Sequence, residues 1–87
     1  MALTKKQKQQ IIDDFQLFEG DTGSPEVQIA LLTANIQELS DHLKDHRKDN
    51  VSRKGLLRQV SKRRRLLRFL EKRSEERYEE LVDALDL

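Results

Sequence analysis

Residues 24 to 43 constrain this chain most. Ser24 can cap a helix with its hydroxyl, and Pro25 suits the first helical position, where its missing N–H costs nothing. Glu26 adds a negative charge at the positive end of the helix dipole. Ile29, Leu32, Ile36, Leu39 and Leu43 then follow at spacings of 3, 4, 3 and 4. That period is helical, and the seam runs to an expected end near Lys44.

The other segments read the same way. Thr4 and Gln7 fit a capping box that starts a first helix, with Ile11, Phe15 and Phe18 on one face. Gly20 and Gly23, with Asp21 and Thr22 between them, break that pattern. The polar run Asp45 to Asn50 has the length of a connection between antiparallel helices. A third helix should start between Asp49 and Ser52, either of which can cap it. Its apolar set is Leu56, Leu57, Val60, Leu67 and Leu70, flanked by Leu66 and Phe69. Gly55 inside it costs roughly 1 kcal/mol relative to Ala, which suggests close packing or close approach of a ligand there. Ser74 offers a fourth cap, followed by Glu75, Glu76 and the apolar set Tyr78, Leu81, Val82 and Leu85.

The expected fold is therefore all-α with four helices in a single domain, residues 1 to 87. A long antiparallel hairpin of the second and third helices packs with a short acidic C-terminal helix and a short N-terminal one. A dimeric coiled coil along the second seam is the alternative. It ranks lower, because the seam spans barely two heptads and the third helix offers a partner in the same chain. Charged residues reach 38%, which raises the question of disorder, but Leu, Ile, Val and Phe number 25 of 87. That is well above the share of about 20% below which chains stay unfolded. There is no cysteine, so disulfides and thiolate metal sites are excluded and a reducing, cytoplasmic setting fits. Met1-Ala2-Leu3-Thr4 leads straight into Lys5-Lys6-Gln7-Lys8, without the apolar stretch of a leader. The longest apolar run, Ile29 to Leu32, is far too short to span a bilayer.

A net charge of +1 hides a strong imbalance. Residues 44 to 73 carry 13 Lys or Arg against Asp45, Asp49 and Glu71, while the rest of the chain carries 4 basic and 13 acidic residues. Lys54, Arg58, Lys62, Arg65, Arg68 and Lys72 follow at helical spacings, forming a stripe beside the apolar one, and Arg64 lies in the same block. Such a stripe can track a phosphate backbone. The bland reading is a solvated face, neutralised in part by the acidic fourth helix. The excess of bases favours nucleic acid.

Two polar clusters flank the stripe. His42, His46, Asp49, Asn50 and Ser52 meet at the bend between the second and third helices. Short donors and acceptors of this kind suit the shallow minor groove of A-form RNA. The competing reading is a plain helix cap. A major-groove DNA reader would instead put long Arg and Asn side chains at the start of the helix, where this chain has Val51 and Ser52. His42, Asp49 and Ser52 contain the residue types of a hydrolytic triad, but a hairpin end supplies no oxyanion hole. His42 and His46 lack the Glu of a zinc-protease motif, since Leu43 follows His42. The second cluster is Gly20-Asp21-Thr22-Gly23-Ser24-Pro25-Glu26, where Thr22, the Gly23 N–H and Ser24 lie at a helix N-terminus and could bind phosphate. It is equally a capped turn, and it lacks the Gly-Lys-Ser/Thr end of a nucleotide-binding loop.

Gly-Asp-Thr-Gly-Ser-Pro-Glu-Val-Gln (20 to 28), Ala-Leu-Leu-Thr (30 to 33), His-x-x-x-His-x-Lys-Asp (42 to 49), Ser-Arg-Lys-Gly-Leu-Leu-Arg (52 to 58), Arg63 to Leu67 and Arg77-Tyr78 resemble the bacterial small-subunit ribosomal protein fifteen family. The resemblance runs through essentially the whole chain. It implies four helices with a more mobile first one, no enzymatic activity and no cofactor. It also implies a structural role in the small subunit, early in assembly, in which the protein organises the central domain of small-subunit rRNA for later proteins. Thr22, Gly23 and Gln28, with Phe69 and Lys72 on the third helix, match contacts to a three-way RNA junction. His42, Asp49 and Ser52 match contacts to an adjacent G·U/G·C element in the minor groove. Lys54, Arg58, Lys62, Arg64, Arg65 and Arg68 would supply phosphate contacts. The implied partners extend to neighbouring ribosomal proteins, large-subunit rRNA and, from some members only, repression of the protein's own mRNA. The free protein is expected to be a monomer with no membrane partner. Phe69 replaces the usual tyrosine, Lys72 a common arginine, and Asn50-Val51 a usual pair of histidines, and the basic tail of many members is absent.

Overall fold

In a computed structural model, which describes residues 3–87, the chain forms α1 (Lys5–Phe15), α2 (Pro25–Asp45), α3 (Asn50–Arg73) and α4 (Glu75–Leu85). Met1 and Ala2, on which the leader-free reading partly rests, lie outside the described residues. Each helix starts where its cap predicts. The Thr4 hydroxyl accepts the Gln7 N–H, and the Gln7 side chain accepts the Thr4 N–H in return. Ser24 accepts the Val27 N–H above Pro25, and Asp49 accepts the Ser52 N–H. Ser74 closes α3 by donating its N–H to the Leu70 carbonyl, and opens α4 by accepting the Arg77 N–H.

The end of α1 differs from expectation. The helix stops at Phe15 and the chain turns extended at Gln16, with ψ 142°. Phe18 therefore lies off the helix face, 65% exposed, in the loop before α2. The cause is Asp21. Its buried carboxylate accepts the N–H groups of Leu17, Gly23 and Ser24 at 2.9–3.1 Å, drawing residues 17 to 24 around itself. Gly20 takes φ +84° to allow the turn, a backbone conformation that side chains disfavour.

α2 and α3 form the antiparallel hairpin. α3 has 24 residues, about 36 Å at 1.5 Å per residue, and so accounts for most of the 40 Å long axis. The core closes at one end of this hairpin, where Ile29 of α2 and Leu70 of α3 are fully buried against Leu81 of α4. Phe15, Leu66, Leu67, Tyr78 and Leu85 pack around these three, so every helix contributes. Val27, Ala30, Leu32 and Leu39 extend the buried face along α2, while Ile36 and Leu43 of the expected seam are only partly buried. Leu57 departs from the apolar set, being 62% exposed. Leu56 and Leu57 are about 100° apart around the helix, and only Leu56 falls on the stripe shared with Val60, Leu67 and Leu70.

α4 is also held to the start of α2 by charge. Arg77 donates from Nε and Nη2 to the two carboxylate oxygens of Glu26, at 2.6 and 2.7 Å. This bidentate pair holds the Arg77 guanidinium more firmly protonated than usual, chiefly through the hydrogen bond.

Candidate nucleic-acid interface

The bend between α2 and α3 gathers His42, Asp49 and Ser52 around one carboxylate. Asp49 follows a short loop and caps α3, which turns its side chain back toward the last turns of α2. Asp49 Oδ1 accepts the Ser52 N–H at 3.0 Å. Asp49 Oδ2 accepts the Ser52 hydroxyl at 2.6 Å and lies 2.8 Å from His42 Nε2. A carboxylate cannot donate, so His42 Nε2 carries the proton in this contact. The Ser52 hydroxyl, the Ser52 N–H and His42, in that order, hold the Asp49 carboxyl well below the usual carboxylate range. The His46 ring stacks beside that of His42, with centroids 4.3 Å apart.

The cap and the polar cluster, which the sequence left as alternatives, are thus one network. Its connectivity also disposes of the triad. In a hydrolytic triad the histidine stands between serine and aspartate and takes the serine proton. Here the aspartate stands in the middle, and Ser52 gives its proton to Asp49. Among the described residues, no group of three or more His, Asp or Glu side chains is placed to hold a metal ion.

At the opposite end of the hairpin lies the glycine loop. The Gln28 amide donates to the Thr22 carbonyl at 2.7 Å, so the exposed Thr22 and Gly23 and the partly buried Gln28 form one edge. The phosphate-binding reading of this helix N-terminus is corrected. The N–H groups of Gly23 and Ser24 already donate to Asp21, and that of Val27 donates to Ser24. Hydrogen bonding from the Ser24 side chain first, then from the N–H groups of Leu17, Ser24 and Gly23, holds the Asp21 carboxyl at about 2, so a negative charge stands where a phosphate would have to sit. The loop can meet a partner through the Thr22 side chain, the open Cα of Gly23 and the remaining polar atoms of Gln28, but not as an anion hole.

The cations of α3 connect the two ends. Lys54, Arg58, Lys62 and Arg65 line an open groove with Leu57 and Ser61, and Arg64, Arg68 and Lys72 are also exposed. Among the described residues, none of these seven pairs with a carboxylate within 4 Å. α4 packs on α3 through Leu81 and its neighbours, and among the described residues no acidic side chain of α4 lies within 4 Å of a stripe cation. Arg63 differs from its neighbours, turning inward to donate to the Thr33 hydroxyl at 3.4 Å.

Two features escape sequence reasoning. Asp21 reads as a spacer between glycines, yet its carboxylate organises the whole loop. Arg73 reads as one more base, yet its guanidinium carbon lies 5.8 Å from the centroid of the half-exposed Phe69 ring. The spacing of four between Phe69 and Arg73 is the signal that could have found this pair.

The chain is similar to known proteins along its length. The profile of the ribosomal protein S15 family matches residues 8–87. Over all 87 residues the chain is 55% identical to the small ribosomal subunit protein uS15 of Dictyoglomus thermophilum and 56% identical to that of Nitrosospira multiformis. It is 53% identical to that of Natranaerobius thermophilus, and each alignment covers 98% of the relative.

Proposed function

The chain belongs to the ribosomal protein S15 family, and from that premise we propose how it docks on small-subunit ribosomal RNA. Its role is that of a structural, RNA-binding constituent of the small ribosomal subunit in the cytoplasm, not that of an enzyme. Two polar patches at opposite ends of one rigid hairpin bind two RNA features, and the cations between them follow the phosphates. The Thr22–Gly23–Gln28 edge, with Phe69 and Lys72, meets a three-way junction. The His42–Asp49–Ser52 network meets an adjacent G·U/G·C element. Lys54, Arg58, Lys62, Arg64, Arg65 and Arg68 supply affinity that reads no sequence. Docking holds the junction in one geometry, onto which later proteins assemble.

The observation that carries this reading is the direction of the hydrogen bonds around Asp49. Ser52 spends its proton on Asp49, which leaves its oxygen lone pairs as acceptors. A guanine in a minor groove presents its N2 amino group, a donor. His42 spends Nε2 on Asp49, leaving Nδ1 for a second polar group such as a ribose hydroxyl. Asp49, accepting from three donors, orients both groups.

Titration of the protein against a junction RNA carrying the G·U/G·C element, with an unrelated hairpin of equal length beside it, tests the proposal. The junction RNA should bind more tightly, and Ser52→Ala should weaken that RNA alone, by about tenfold for one lost hydrogen bond. Equal affinity of the parent protein for both RNAs would leave only generic electrostatics. A folded Ser52→Ala protein with undiminished preference would remove the minor-groove role.

A further inference from the structure

Gly55 sits within the second turn of α3, in a regular helix where glycine is the poorest ordinary residue. Nothing within the chain requires it. Its φ is not positive, since Gly20 is the glycine with that property among the described residues. A methyl group built on Gly55 would meet no atom within 4 Å outside its own stretch of helix. The close packing expected of it is therefore absent, and alanine would fit while making the helix more stable. The reason for glycine lies outside the chain.

We infer that Gly55 is where the ribose-phosphate backbone of the bound RNA comes against the backbone of α3. The inference rests on the RNA-docking reading and extends it to a contact made by an absent side chain. Gly55 lies one turn beyond Ser52, on the side of α3 shared with Arg58 and Lys62, which stand three and seven residues further on and are exposed. Val51, four residues before, is 83% exposed on the same side. A partner that spans Ser52 and Arg58 on this side of α3 thus passes over the helix backbone at Gly55. Contact between a ribose carbon and the glycine Cα occurs at about 3.5–4.0 Å. A methyl group would occupy that space, and neither a helix backbone nor an A-form strand yields easily. Gly55 sets how deeply the hairpin enters the groove, and so whether Ser52 reaches the base edge.

The test separates stability from binding, because the two should move in opposite directions. Gly55→Ala should raise the melting temperature by about 4–8 °C. The same substitution should weaken binding to the junction RNA by about 5- to 150-fold, with Gly55→Met weaker still. A melting temperature that rises with no loss of affinity overturns the inference. A melting temperature that falls also overturns it, because glycine would then be required by the fold. Equal affinity of the parent protein for junction RNA and control hairpin refutes the element reading separately. In that case a Gly55→Ala loss on both RNAs still supports the backbone contact, and no loss on either overturns it.

Discussion

Arg77→Met should uncouple α4 from the start of α2, and its cost follows from the geometry of one ion pair. Both guanidinium bonds to Glu26 are short, at 2.6 and 2.7 Å, and the Glu26 side chain is only 9% exposed. Methionine keeps the apolar stem and removes the fork, leaving a nearly buried carboxylate without its partner. Breaking a fully buried pair costs about 3–5 kcal/mol. Two features reduce that figure. The Arg77 side chain is 34% exposed, so water already screens part of the pair. Glu26 also stands in the first turn of α2, where the helix dipole offsets about 0.3–1 kcal/mol of the uncompensated charge. The expected loss is about 2–3 kcal/mol, which in a domain of this size lowers the melting temperature by about 10–20 °C.

Glu26→Gln should cost less, because the charge it strands is the one with access to water. The double variant should be less destabilised than the sum of the two, with a coupling of about 1–3 kcal/mol. Urea and thermal unfolding followed by far-ultraviolet circular dichroism measure all three. A loss below about 0.5 kcal/mol for Arg77→Met, or strict additivity in the double variant, would show that the pair behaves as a surface salt bridge and that apolar contacts alone dock α4.

Acid should loosen the loop between α1 and α2. Asp21 is held at about 2 against an ordinary 3.8, so the stability it contributes is complete above about pH 3.8 and is lost as pH falls through about 2. Asp49 is lowered too and acts in the same direction at the bend. Melting temperatures across this range should fall in the parent protein and fall less steeply in Asp21→Asn; parallel profiles would refute the assignment. Arg65→Ala should weaken binding to junction RNA and control hairpin alike, and reduce the slope of log affinity against log salt by about 1. A selective loss on junction RNA would instead make Arg65 a specificity residue. α1, which packs on α2 and has no buried residue of its own, should exchange its amide hydrogens faster than the buried face of α2. Equal protection of Ile12 and Ile29 would contradict that.

The four helices were legible in the sequence because their signals are local. Thr4, Ser24, Asp49 and Ser74 each cap a helix by reaching an N–H three residues ahead, a contact that forms within a single turn whatever the rest of the chain does. The α2 seam and the basic stripe of α3 are local in the same sense, since helical period alone places their residues on a face. Where a helix ended was less legible. Phe18 continued the period of α1, but the Asp21 carboxylate competed for the backbone N–H of Leu17 and won.

Position in the sequence put His42, Asp49 and Ser52 near one bend, but did not say which way their protons point. His42, Asp49 and Ser52 could have made a triad, a cap or a groove-reading cluster, and only the folded bend puts the carboxylate between the other two. Glu26 and Arg77 stand 51 positions apart, and no periodicity links them. Gly55 was visible as an oddity, yet only the empty space around it shows that packing within the chain does not require it. Sequence alone determined the helices, their caps and the placement of charge, because those depend on neighbours within a turn or two. The tertiary structure decided which groups are satisfied inside the protein and which are left for a partner, because that depends on segments brought together only by packing.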